Sequence, residues 1–236
     1  MFNKLQCIGD GSCFAPDLKA NSWFFIHNDT LVLLECNYDT FRAFLSQQIT
    51  IPDNVTDIII CISHTHEDHV GGLASFLYWL EYVKHFPLTH VSIISKLKQD
   101  LIKYLELTYV PNLYSNSLAI LEGPIIIINE IMIKIYPEQH VPGMNCCGFL
   151  FSDTSNDLSR YEFYYIGDIS CPNKEIIRLF NEDKIKYLLA EVTLYENNVH
   201  THYNWYINHI NTNKFKDIRF CHFDNNVAKE KIKSSR

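Results

Sequence analysis

The segment Ser63-His64-Thr65-His66-Glu67-Asp68-His69-Val70-Gly71-Gly72 constrains this chain more than any other. It places three histidines and an aspartate within six residues, directly after the apolar run 57–62. A β-branched run of that length reads as a strand buried on both faces, so the polar cluster begins where a buried strand ends. Alternate side chains of an extended segment share a face. His64 and His66 therefore point the same way, and both imidazoles reach one metal ion. Asp68 and His69 enter the helix that follows and serve a second ion, and paired ions of this kind sit about 3.5–4 Å apart. A surface histidine-rich loop needs neither the strand before it nor the double glycine after it.

Short apolar runs recur at 31–34, 57–62, 91–94, 125–128, 131–136, 149–151, 161–166, 185–189 and 218–221, and these are the strand candidates. Asn129-Glu130 and the polar stretch 152–159 separate neighbouring runs at hairpin-like distances, so 125–167 reads as an antiparallel meander. Helical patterns fall at 72–85, 96–107, 173–181 and 203–211. Strands and helices in this mixed order fit an α/β protein of four layers, two sheets face to face with helices outside. The 236 residues suffice for one core, and 1–236 reads as a single domain.

Charge narrows the partners. A net charge of −7 argues against the broad basic face that grips a long nucleic acid. A small anionic substrate fits, because bound metals invert the local field. The first thirty residues lack a basic-then-apolar leader, and no run approaches the roughly 18 apolar residues of a membrane span. The expectation is a cytoplasmic protein without a membrane partner. The eight cysteines show no zinc-ribbon spacing and read as reduced core thiols.

The pattern His64-x-His66-x-Asp68-His69 resembles the hallmark of the metallo-β-lactamase superfamily, and the likeness runs over nearly the whole chain. It implies the four-layer αββα metallo-β-lactamase sandwich and two divalent ions, zinc foremost, with manganese or cobalt compatible with the same ligands. By that resemblance His140, in Tyr136-Pro137-Glu138-Gln139-His140, completes the first metal site with His64 and His66. Asp168, in Tyr165-Ile166-Gly167-Asp168, matches the bridging aspartate. His222, in Arg219-Phe220-Cys221-His222-Phe223, completes the second site with Asp68, His69 and Asp168. One departure is Glu35, in Leu34-Glu35-Cys36, where the family usually has an aspartate that supports the metal loop through hydrogen bonds.

Within the superfamily, Ile8-Gly9-Asp10-Gly11-Ser12-Cys13-Phe14 and the later Asn21-Ser22 resemble the opening of the ribonuclease Z branch. Ala190-Glu191-Val192-Thr193 followed by His200-Thr201 resembles that branch's pair in which a glutamate orients a histidine at the scissile phosphate. The resemblance makes Asp68, Glu191 and His200 the candidate catalytic residues, with His202 an alternative to His200. Ribonuclease Z carries a tRNA-gripping arm between the residues corresponding to His140 and Asp168, which here lie only 28 positions apart. Without an arm, and with an acidic balance, the chain is similar to compact phosphodiesterases such as the anti-Pycsar proteins, which destroy cyclic nucleotide signals. The expected reaction is hydrolysis of a small phosphodiester, a 3′,5′-cyclic nucleotide giving its 5′-monophosphate. The competing readings are an RNA 3′-end endonuclease and a non-catalytic nucleotide sponge, against which the complete metal set speaks. Aromatics in 104–116, with Phe14 and Trp205, are candidates for stacking on a base or for plain core. A homodimer is expected, because compact members of the branch pair and because 101–121 holds more apolar and aromatic residues than a short surface helix requires.

Overall fold

Alternation along the strands sorts the apolar side chains onto three faces, and that sorting builds the layers. The computed structural model describes residues 1–110, 118–155 and 159–234. One sheet runs in the order β1 (Gln6–Gly9), β2 (Ser22–His27), β3 (Thr30–Leu34), β4 (Asp57–Cys61), β5 (Val91–Ile94), β6 (Ala119–Leu121). The other contains β7 (Ile125–Ile128), β8 (Ile131–Glu138), β9 (Cys146–Asp153), β10 (Tyr161–Tyr165), β11 (Ile185–Glu191) and β12 (Ile218–Cys221), again in chain order. Helices α1 (Tyr38–Leu45), α2 (Glu67–Val70), α3 (Leu73–Tyr82) and α4 (Lys98–Leu107) belong to the first half of the chain, and α5 (Lys174–Asn181), α6 (Tyr203–His209) and α7 (Asn226–Ser234) to the second.

In β4, Ile58 and Ile60 pack toward the helices of the first half, against Phe44, Phe76 and Leu101. Ile59 and Cys61 point the other way, into a central cluster shared with Phe149, Phe151, Phe163 and Leu189 of the second sheet. Leu150, Tyr164 and Leu188 leave that sheet on its outer face and meet Ile176, Phe180 and Tyr206 of α5 and α6. Three apolar interfaces thus separate four layers, the αββα sandwich.

Strand direction decides where function collects. β3 and β4 are parallel, as are β10, β11 and β12, whereas β7 through β10 form the antiparallel meander read from the sequence. The carboxyl ends of these parallel strands gather at one end of the sandwich, the usual place for a site in such sheets. Three strands and two helices escaped sequence reading. Of these, β1 and β6 are short, β2 is a run of aromatics buried on both faces without alternation, α1 is a short amphipathic helix of two turns, and α7 is short and strongly polar. Among the described residues, no helix is long and apolar enough to cross a membrane, and all eight cysteines are free.

Candidate metal centre and active site

Buried β4 delivers the chain to Ser63, whose amide donates to Glu35 Oε2 at 3.2 Å and whose carbonyl accepts from Cys147 N at 3.0 Å. Both sheets hold this residue, so the histidines that follow start from a fixed point. His64 is fully buried, with Nδ1 2.9 Å from Ser63 Oγ and Nε2 2.9 Å from His66 Nδ1. His140, in the β8–β9 loop, closes the group, its ring centroid 5.1 Å from those of His64 and His66. Its Nδ1 lies 2.7 Å from the Val199 carbonyl. A carbonyl only accepts, so Nδ1 carries the proton and Nε2 keeps its lone pair for a ligand. Burial holds the pKa values of His64, His66 and His140 below the usual imidazole value, and the neutral ring is the form that binds metal.

A second group forms around Asp168. Gly167 brings the chain to it with φ +72°, and a β-carbon at Gly167 would lie 2.8 Å from that of Ser63. Asp168 Oδ2 sits 3.1 Å from His222 Nε2, 3.3 Å from His69 Nε2 and 4.0 Å from His140 Nε2. Asp68 Oδ2 lies 3.5 Å from His222 Nε2 and 3.7 Å from His69 Nε2. His222 takes a left-handed backbone at φ 57°, just beyond β12, to turn its ring inward. Asn37 ties the segment to α1. It caps the helix by accepting from Thr40 N at 3.0 Å while its amide donates to the Asp68 carbonyl at 2.9 Å. Gly72 passes so close beneath that a β-carbon there would stand 2.0 Å from the Asn37 carbonyl oxygen.

Glu35 takes the supporting place expected of an aspartate. Besides Ser63 N, it accepts from Tyr165 OH at 2.9 Å through Oε1, which also faces His69 Nδ1 at 3.4 Å. Tyr165, the Val199 carbonyl and Asn37 were not singled out from sequence. Tyr165 ends β10 after a run of aromatics, and only the approach of the two sheets brings it to Glu35.

The residues fit divalent ions on the structure's own terms. Both ring nitrogens of His69, Nε2 of His222 and Oδ1 of Asp168 are buried without a hydrogen-bond partner. Orphaned donors and acceptors of this kind are costly unless something else occupies them. Burial would raise the Asp168 pKa, but His222 and His69 hold it well below the usual carboxylate range. Burial likewise opposes charge on His222, yet Asp168 and Asp68 bring it up to about 10. The pocket therefore calls for positive charge. His64, His66 and His140 form one group with ligand atoms within 4.8 Å of one another, and Asp68, His69, Asp168 and His222 form another.

Glu191, at the end of β11, is fully buried. Its Oε1 accepts from Ile169 N at 3.0 Å and Thr201 N at 2.9 Å, and its Oε2 lies 2.7 Å from His200 Nδ1. Burial would lower the His200 pKa, but the hydrogen bond and charge of Glu191 outweigh it, and the imidazole is raised above its usual value. The His200 ring lies 4.9 Å from that of His222 and 5.0 Å from that of His140, a quarter of its side chain open to solvent. The geometry separates the two candidates for this place. His202 spends Nε2 on the Leu194 carbonyl and Nδ1 on capping α6 through Asn204 N. Trp205 stacks on His209 at 4.2 Å, and Tyr104 is half-buried with its hydroxyl on the Val70 carbonyl. Phe14 stands 87% exposed on a loop that Ser12 N fastens to the Phe223 carbonyl beside His222. Residues 111–117 of the aromatic stretch lie outside the described residues.

Fold and site together define the class, a metal-dependent hydrolase of the metallo-β-lactamase fold. Solved structures agree on the fold. The metallo-beta-lactamase fold protein YhfI from Bacillus subtilis superposes with a TM-score of 0.68 at 13% identity, over 98% of this chain and 91% of that one. Human tRNase Z, short form, gives 0.65 at 18% identity, over 94% and 93%. The chain belongs to the Anti-Pycsar protein Apyc1 family, which it matches over residues 3–236. Similar proteins include Anti-Pycsar protein Apyc1 of Paenibacillus harenae, 23% identical over 74% of this chain and 71% of the relative. That of Paenibacillus xerothermodurans is 25% identical over 82% and 76%.

Proposed function

We propose that the chain is a two-metal phosphodiesterase that hydrolyses 3′,5′-cyclic nucleotides to 5′-monophosphates. The observation that carries this reading is the Glu191–His200 pair, 2.7 Å apart at the edge of the metal-ligand groups. A positioned imidazolium of this kind can protonate the alkoxide that leaves a phosphodiester.

His64, His66 and His140 would hold one ion and Asp68, His69, Asp168 and His222 the other. Zinc is the expected metal from the histidine-rich set. Bound there, the ions would supply Lewis-acid stabilisation of phosphate charge and make water more acidic. The rest falls to the chain's own groups. Asp68 is the most exposed member of its group and orients the attacking water as an acceptor. His200, its Nδ1–H held by Glu191, presents Nε2–H to the 3′ oxygen. The water oxygen bonds to phosphorus as Asp68 takes one of its protons, the bond from phosphorus to the 3′ oxygen breaks, and the His200 proton passes to that oxygen. Among the described residues, Phe14 is one exposed aromatic that could stack on a base.

The short His140-to-Asp168 connection and the net charge of −7 support a small substrate over an RNA. Incubation of purified protein with 3′,5′-cyclic nucleotides and with pre-tRNA tests this. Chelator-sensitive 5′-monophosphate formation, with little tRNA cleavage, is the expected result. Equal cleavage of both would return the endonuclease reading, and binding without turnover the sponge. A homodimer belongs to the same proposal. Tyr82, Val83, Leu107 and Tyr109 are exposed where α3 and α4 end, a corner fastened by Tyr78 OH to the Thr108 and Tyr109 carbonyls. A monomer mass in light scattering would remove it.

A further inference from the structure

At the opposite end of the sandwich, the two sheets bring a second set of ligands together. His27 ends β2, Glu130 lies in the β7–β8 turn and Asp153 ends β9. These strand ends point away from the catalytic centre, because β2 is antiparallel to β3 and β9 antiparallel to β10. We infer that His27, Glu130 and Asp153 form a separate binding site for a zinc-type divalent cation, which would clip one sheet to the other.

The inference starts from His27 Nε2, which is buried and has no hydrogen-bond partner. Its side chain is only 9% exposed and aims at Asp153 Oδ2 across 3.4 Å. That gap is long for a hydrogen bond. It matches the separation of about 3.4 Å between a nitrogen and an oxygen bound tetrahedrally to one zinc ion at roughly 2.0–2.2 Å each. At the catalytic centre, the histidine and aspartate ligand atoms around Asp168 show the same spacing, 3.1 and 3.3 Å.

The carboxylates are placed for the purpose. Asp153 Oδ1 is occupied by Ser155 N at 2.9 Å and Ser155 Oγ at 2.6 Å, which fixes the side chain and leaves Oδ2 for the ion. Glu130 is anchored through its backbone, whose carbonyl accepts from Thr154 N at 2.8 Å, and Asn28 Nδ2 donates to its Oε2 at 3.1 Å. The ligand atoms of the three residues lie within 4.8 Å of one another. One imidazole and two carboxylates suit zinc, cobalt or manganese better than calcium or magnesium, which prefer all-oxygen shells. The neighbouring Asn129 amide already bridges the sheets by donating to Thr30 Oγ1 and Asp57 Oδ2. An ion here adds a stronger tie at the same place.

The test is equilibrium dialysis of the full chain against zinc, with elemental analysis, for wild type, His27→Gln and Asp153→Asn. Each variant should hold one zinc fewer than wild type, with catalytic turnover unchanged. Unchanged zinc stoichiometry in His27→Gln would overturn the inference. Glu130→Gln, at an exposed turn where folding is not at stake, should weaken the same zinc by at least roughly tenfold, and an unaltered affinity there would exclude Glu130 from the site. As a converse, His64→Ala/His66→Ala/Asp168→Asn/His222→Ala should retain one zinc that raises its melting temperature. A zinc-free chain that zinc does not stabilise would refute the second site whatever the fate of the first.

Discussion

Glu191→Gln isolates the proposed proton-donating pair from everything else in the site. The glutamine keeps the shape and a carbonyl oxygen that still accepts from Ile169 N and Thr201 N, the two bonds that tie the loop after β10 to the loop after β11. What it loses is the negative charge 2.7 Å from His200 Nδ1. A glutamine amide at that distance donates to Nδ1, so the ring becomes neutral with its proton on Nε2. A neutral imidazole is a far weaker acid toward a leaving alkoxide than the imidazolium that Glu191 sustains. Positioned acid–base groups are worth roughly 10²–10⁴-fold, or about 2.7–5.4 kcal/mol of barrier at 1.36 kcal/mol per tenfold. We expect kcat on a cyclic nucleotide to fall by that range, with metal content and circular dichroism unchanged. His200→Ala should fall similarly. The double variant should be no worse than His200→Ala, because the two residues act as one unit. Unchanged kcat in Glu191→Gln would refute the role of the pair, and loss of bound metal would show that Glu191 acts through the metal ligands instead.

The remaining predictions concern metal, packing and charge. His64→Ala/His66→Ala should lose one of the two metals proposed for the catalytic centre by elemental analysis, and a variant that loses none would break the ligand assignment. Gly72→Ala forces a β-carbon to within 2.0 Å of the Asn37 carbonyl oxygen, so it should destabilise by about 1–3 kcal/mol in urea titration. Its metal affinity should weaken as well, because Asn37 holds the Asp68 backbone; wild-type stability would show that the backbone yields there freely. Asp183 accepts from the buried Lys214 at 2.7 Å, and that bond, with the lysine charge, holds its carboxyl below the usual range. The contribution is full above the unfolded carboxylate value of about 3.9 and is lost as pH falls through the lower folded one. Asp183→Asn should therefore cost stability at pH 7 and progressively less below about pH 4; an equal loss at both, in urea titrations, would contradict this.

Sequence by itself determined the strand–loop–helix core of the protein, with its polar cluster at the strand end. The run 57–62 is apolar at every position from Ile58 on, so it had to be buried, and the polar residues after it had to lie at a strand end. Spacing alone then paired His64 with His66. His140, Asp168, Glu191, His200 and His222 were legible only through their order in a known pattern, because each taken singly is an ordinary loop residue. Tertiary structure decided what depends on two sheets meeting. It set Tyr165 and Ser63 on either side of Glu35 and gave His140 its tautomer through the Val199 carbonyl. It also turned His200 toward the site while spending His202 on a helix cap. It brought His27 to Asp153, residues 126 positions apart with no motif between them. Alternation and spacing report which face a side chain takes along one strand, whereas contacts between sheets depend on the register of both. That register is fixed by packing summed over the whole core, which no local pattern encodes.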